Sequence, residues 1–194
     1  MENGNKEVVV YCASSGKIDQ LYFDAASKLG ELLAKEGITC VNGAGSEGLM
    51  GALNDAVLEN GGKVKGIIPQ FMVDAGWGHK RLTEMIVTAT IHERKAAMAK
   101  SADAVIALPG GIGTLEELAE IITWRQLGLY HNPVIILNIN DYYQPLLTFL
   151  EKMIDEKFMK DVYRELWQVA ITPQEAVDLV HSAPDWNPGY TKYD

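Results

Sequence analysis

The residues best placed to do chemistry are Glu116 and Glu117. These two carboxylates follow the run Pro109-Gly110-Gly111-Ile112-Gly113-Thr114-Leu115. Ala102 to Leu108, just before it, is short and apolar and reads as a buried strand. Leu115 to Leu127, just after, carries apolar residues at helical spacing. The glycines therefore fall in a strand-to-helix turn, where they permit positive φ and close approach of another group to the backbone. The start of the next helix offers unpaired N–H groups and a partial positive charge. Together these make a seat for an anion, most often phosphate. Thr114 adds a hydroxyl. Phosphate donors beside carboxylates point to a site that holds a nucleotide and acts on it. Glu117 also has a plainer reading: Thr114-Leu115-Glu116-Glu117 has the capping-box spacing, with Thr114 as N-cap and Glu117 bonding back to the cap backbone.

Three further features bear on such a site. His92-Glu93-Arg94-Lys95 opens the helix that feeds the central strand, and two cations there oppose the helix dipole. They are either a solvated surface run or anion ligands, arginine being suited to two-point recognition of phosphate or carboxylate. Gly43-Ala44-Gly45-Ser46-Glu47-Gly48 satisfies the dinucleotide spacing G-x-G-x-x-G. It follows the second strand rather than the first, and no acidic residue ends the next strand to bind a ribose hydroxyl. Room for a mononucleotide or tight strand–helix packing fits it better than NAD. Trp77, in a glycine-flanked loop, either covers a base or packs on the surface. The four histidines show no metal spacing, and no nucleophile-elbow motif is present.

Elements that position these residues alternate regularly. Strands are expected at Glu7 to Ala13, Ile38 to Asn42, Lys63 to Ile68, Met85 to Thr88, Ala102 to Leu108, Asn132 to Asn138 and Leu166 to Ala170. Val8-Val9-Val10 is apolar on consecutive positions, the mark of a strand covered on both faces. Helices are expected from Asp19 (N-cap) to about Lys35, from about Gly48 to Leu58, from His92 to Lys100, from Tyr143 to Glu156, and after Thr172-Pro173. The segment Gln70 to Thr83 reads as irregular, a length often associated with a lid. Strand–helix alternation implies an α/β fold, a parallel sheet with helices on both faces. Ligands of such sheets bind beyond the carboxyl ends of the strands, where the turns at 13–16, 43–48, 69–83 and 109–114 meet.

The chain has 194 residues and a formal net charge of -9. That length suits one domain with a sizeable core, here expected over 1–194 with irregular tails at 1–6 and 183–194. The acidic balance argues against a general nucleic-acid binder. Cys12 and Cys40 lie in apolar runs and read as two reduced, buried thiols rather than a bridge. The leader Met1 to Lys6 has no apolar core, and no apolar run reaches the about 20 residues that span a bilayer. A cytoplasmic protein with no membrane partner is expected.

Pro109-Gly110-Gly111-Ile112-Gly113-Thr114-Leu115-Glu116-Glu117 resembles the PGGxGTxxE signature of the Lonely Guy (LOG) family, cytokinin riboside 5′-monophosphate phosphoribohydrolases. His92 to Met98 resembles that family's second signature, an Arg-Lys pair with a downstream methionine. Cys12 to Ser15, Gly48 to Gly51 and Ile121 to Trp124 are similar to further family segments. The resemblance implies a Rossmann-like, doubly wound sheet, a homodimer, and hydrolysis of the N-glycosidic bond of an adenine-type nucleoside 5′-monophosphate. It implies Arg94 and Glu117 as the catalytic pair. Its substrate contacts would be Lys95, Gly111, Ile112, Gly113, Thr114, Leu115, Glu116 and Thr123, with Ser14, Gly43, Gly45 and Met98 beside them. No metal or organic cofactor is implied, and no pyridoxal-phosphate site can be placed. Ala44 stands where the family has glycine, Ile91 where methionine is common, and Val73 to Lys80 does not align. A non-catalytic nucleotide or cofactor carrier of the same fold is the alternative, and a purely structural dimer a third.

Overall fold

The computed structural model describes residues 6–187. Seven parallel strands form one sheet: β1 (Glu7–Tyr11), β2 (Thr39–Asn42), β3 (Val64–Pro69), β4 (Glu84–Thr88), β5 (Ala104–Ala107), β6 (Val134–Leu137) and β7 (Gln168–Ala170). Their order across the sheet is β4-β3-β2-β1-β5-β6-β7. The chain builds outward from β1 in one direction, then restarts at β5 on its other side. β1 and β5 thus flank the switch point, with Val9 opposite Val105 in register. In such sheets the loops leaving the two central strands diverge and open a crevice.

Why the strands are central follows from their side chains. Val8, Val9, Val10, Val105 and Ile106 are all fully buried. Alternate residues serve opposite faces. Val8, Val10 and Ile106 pack with α1 (Gln20–Lys35), α2 (Gly48–Glu59) and α7 (Pro173–Ser182). Val9, Tyr11 and Val105 pack with α4 (Ile91–Ser101), α5 (Ile112–Gln126) and α6 (Gln144–Asp155). The α/β fold with helices on both faces is as expected, and Asp19 and Thr172 cap α1 and α7 as their sequence contexts imply.

The structure changes two local expectations and adds packing to a third that holds. The 70–83 segment is not wholly irregular. It begins with a short helix, α3 (Gln70–Asp74), and is tied back to the turn after β2. His79 N–H donates to the Ala44 carbonyl at 2.8 Å, and Ser46 N–H donates to that of Trp77 at 3.2 Å. The segment is therefore a fastened connection rather than a free lid. Thr114 is not the N-cap of α5; Gly111 holds that position with no side-chain cap. Capping boxes occur instead at Thr90 with Glu93 and Thr172 with Glu175, where each threonine accepts from the N–H three residues on and each glutamate accepts from the residue before the cap. In the tail, residues 183–187 lack regular structure but are packed: Trp186 is buried, and the buried Arg125 guanidinium donates to the carbonyls of Leu166 and Pro184. The expectations for residues 1–5 and 188–194 lie outside the described residues.

Candidate active site

Glu117 sits at the second turn of α5 and Arg94 at the first turn of α4, so that the two helix starts face each other beyond β5. Arg94 Nη2 donates to Glu117 Oε1 at 3.1 Å, and the two side chains are only 11% and 13% exposed. Burial pushes the Glu117 carboxyl up to about 7; Arg94 and Lys95 pull the other way, and Glu116 and Glu120 add to the rise. The carboxylate therefore bonds Arg94 instead of its own helix cap, which removes the capping reading. Neighbouring Lys95 is almost fully buried and clasps Glu116 and Glu120, the latter at 3.1 Å. The opposition of two cations to the α4 dipole is thus met by α5 carboxylates.

The glycine-rich turn stands open beside this pair. A Cβ on Gly111 or Gly113 would meet nothing within 4 Å, whereas one on Gly110 would come 2.1 Å from Thr114 Oγ1. Gly110 is glycine because the Thr114 hydroxyl lies on it, and Thr114 is buried there as the third residue of α5. The Leu115 N–H is engaged by the Gly111 carbonyl. The N–H groups of residues 112–114 belong to the first helical turn, which has no intrahelical acceptors. The turn is buttressed from behind by two side chains that sequence reasoning missed. Tyr142 donates to the Gly110 carbonyl at 2.6 Å and Tyr143 to that of Leu108 at 2.7 Å. The preceding Asn140 and Asp141 are both left-handed (φ 51 and 54), a conformation these two residue types tolerate. Such a local turn signal was the only hint of them in the sequence.

The other expected contacts divide. The turn with Ser14 is joined to the site, since Ala13 N–H donates to the Pro109 carbonyl at 3.2 Å. At Gly43 and Gly45 the protein's own side chains approach the backbone. A Cβ on Gly43 would lie 2.3 Å from Arg94 Nη2, and one on Gly45 3.0 Å from Met50 Sδ. The N–H groups of Ala44, Gly45 and Ser46 are taken by Asn42 Oδ1, Met50 Sδ and the Trp77 carbonyl. This turn therefore seats the Arg94 side chain, close packing being one of the two readings its spacing allowed. Ala44, standing where the family has glycine, is left-handed at φ 63, which is the conformation glycine adopts at least cost. Met98 is 1% exposed in the core between α4, α5 and the sheet, so its side chain does not face the crevice. Thr123 is exposed, donates to the Ala119 carbonyl, and lies six residues past Glu117, roughly 9 Å along the helix. Met72 of α3, not anticipated, has its Sδ 3.9 Å from Arg94 Nη1.

Arg94 and Glu117, the two residues paired by the PGGxGTxxE resemblance, are thus in contact and largely buried. Residues 50–180 match the family model described as possible lysine decarboxylase. The cytokinin riboside 5′-monophosphate phosphoribohydrolase LOG5 of Arabidopsis thaliana is 44% identical over 95% of this chain and 81% of its own length. The chain belongs to the LOG family. Other members similar to it include LOG1 of Arabidopsis thaliana, 41% identical over 99% of this chain and 89% of that protein. Rice LOGL2, named as a probable member with the same activity, is 41% identical over 96% and 75%. Among solved structures, the molybdenum cofactor binding protein of Rippkaea orientalis has a TM-score of 0.71 at 22% identity, covering 93% of this chain and 98% of that one. The Moco carrier protein of Chlamydomonas reinhardtii has a TM-score of 0.70 at 21% identity, with coverage of 93% and 98%. Those two likenesses concern the fold alone; identity across almost the whole chain lies with the LOG enzymes.

Proposed function

We propose that this LOG-family chain hydrolyses the N-glycosidic bond of an adenine-type nucleoside 5′-monophosphate, releasing the base and ribose 5-phosphate. The observation that carries the reading is the Arg94–Glu117 pair, buried at the switch point beside the free amides of α5. Cleavage of the bond between C1′ and the base nitrogen builds positive charge on the sugar, as in glycoside hydrolysis. The Glu117 carboxylate stabilises that charge and accepts a proton from the water whose oxygen bonds C1′. The departing base takes up a proton in turn. Arg94 holds Glu117 and orients the substrate, while the amides of 112–114 hold the 5′-phosphate. Remote binding of the phosphate positions the reacting bond.

The test is incubation of the purified chain with AMP and with a prenylated adenine ribotide, followed by separation of the products. Free base and ribose 5-phosphate in equal amounts are expected. Binding of either nucleotide without base release would instead favour the carrier reading. Two buried unpaired thiols, Cys12 and Cys40, support action in the reducing cytoplasm, and among the described residues no helix is long and apolar enough to cross a membrane.

The assembly we propose is a homodimer closed by the outer face of α5. Leu127 is 56% exposed there, with Leu129 just beyond at 67%. Thr123 lies on the same helix among its exposed residues, so the family's contact at that position falls to a second copy. L127E is expected to halve the mass seen by light scattering and to weaken turnover; an unchanged mass with the unsubstituted chain dimeric would place the interface elsewhere.

A further inference from the structure

Arg94 is gripped by a turn that gives it no side chain. Its guanidinium rests on the Cα of Gly43, close enough that a Cβ there would come 2.3 Å from Nη2. The shape of that turn is set by two asparagines, Asn42 at the end of β2 and Asn54 in α2, both wholly buried. Asn42 Oδ1 accepts from Ala44 N–H at 2.9 Å, Asn42 Nδ2 donates to Asn54 Oδ1 at 2.6 Å, and Asn54 Nδ2 donates to the Gly45 carbonyl at 3.1 Å. The network brackets Ala44, which is left-handed (φ 63). That conformation costs an L-residue about 1–2 kcal/mol. The Ala44 methyl is also pressed on Gly66, where a Cβ would come within 2.5 Å of it. Strain of this kind persists only where surrounding groups over-determine the backbone, and a fully satisfied buried amide network supplies such determination.

We propose that Asn42 and Asn54 are positioning residues for the reaction: they hold Ala44 left-handed and thereby set the Gly43 backbone that aims the Arg94 guanidinium at Glu117. The inference rests on the hydrolase reading above for its kinetic consequences, but its geometric consequence stands apart. Glu117 is faced by Arg94 and Lys95 from α4, Glu116 and Glu120 from α5, Tyr11 at the end of β1 and Cys12 just after it. Of these, Arg94 is the foremost influence holding its carboxyl down against burial. A misaimed guanidinium therefore lets the Glu117 midpoint rise.

Three variants test this: N42A, N54A and the double variant N42A/A44G. Displacement of a catalytic group by a fraction of an ångström to one ångström costs on the order of tenfold to a hundredfold. N42A and N54A are expected to lose at least about tenfold in kcat on AMP, with a smaller change in KM. Glycine reaches the left-handed conformation without help, so N42A/A44G is expected to regain most of that loss. In parallel, NMR titration of carboxyl-labelled glutamate should show the Glu117 midpoint rising in N42A and returning in N42A/A44G. The titration needs no turnover, so it judges the asparagines even where the unsubstituted chain releases no base, an outcome that would sink only the hydrolase reading. A Glu117 midpoint unmoved in N42A, or a kcat loss that A44G leaves in place, overturns the proposal. If N42A does not fold, N54A decides alone by the same midpoint and the same kcat, each measured on the folded fraction.

Discussion

Glu117→Gln is expected to lower kcat on AMP by about a thousandfold or more while AMP binding and the fold persist. Glutamine keeps the shape and can still accept from Arg94, but it removes the negative charge and the proton acceptor. Fixed charge aimed at a developing ion and general-base assistance each contribute roughly 10²-fold or more. The same residue sets the pH dependence. With its carboxyl pushed up to about 7, the active anion forms late, so kcat/KM should rise with pH and level off above a midpoint near 7. Stability carries the opposite sign. A carboxyl whose folded pKa exceeds its unfolded value of about 4.3 favours folding fully below the unfolded pKa, and that contribution is lost as pH rises through the folded one. The unsubstituted chain should therefore lose melting temperature between about pH 5 and pH 7 relative to Glu117→Gln. Parallel melting curves at every pH, or turnover surviving in the variant, would remove Glu117 from the role given to it.

Why was so much of this arrangement readable in the chain itself? Parallel strands covered on both faces leave continuous apolar runs, and Val8-Val9-Val10 and Ala104 to Ala107 announce themselves in that way. Caps are local chemistry, so Asp19 and Thr172 could be read directly. The errors arise where spacing alone is degenerate. Thr90-Ile91-His92-Glu93 and Thr114-Leu115-Glu116-Glu117 have the same box spacing, and only the first makes the box. What separates them is tertiary: Arg94 reaches across from α4 and draws Glu117 away, while Thr114 is buried on Gly110. Gly43 and Gly45 show the same limit. A glycine-rich spacing says that something approaches the backbone closely, not whether it is a ligand or the protein's own Arg94 and Met50. Asn42 and Asn54 meet only once α2 is laid against β2, twelve residues on, and no linear pattern marks such a pair. Met98 shows that a methionine within a signature helix can belong to the core rather than to the ligand.

The remaining large effect concerns the phosphate seat, and a backbone change isolates it. Ile112 is the first residue of α5, follows Gly111 in an extended conformation (φ -83, ψ -159), and points its side chain into solvent at 82% exposure. Proline is well suited to such a place. Its fixed φ matches a helix start, and the N–H it lacks has no intrahelical acceptor there. Gly111 in an extended conformation also satisfies the restriction on the residue before a proline. Ile112→Pro thus deletes one candidate phosphate donor with no cavity and no broken helix. A hydrogen bond to a charged group contributes about 1.5–3 kcal/mol, so kcat/KM for AMP should fall by roughly 10- to 150-fold. The melting temperature should hold or rise slightly, because proline restricts the unfolded chain. Adenosine, which has no phosphate to lose, supplies the internal control: its slower turnover should be the same in both proteins. A loss shared equally by AMP and adenosine would mean that the substitution had disturbed the Arg94–Glu117 pair instead. An undiminished reaction with AMP would mean that the phosphate is held away from the first amide of α5.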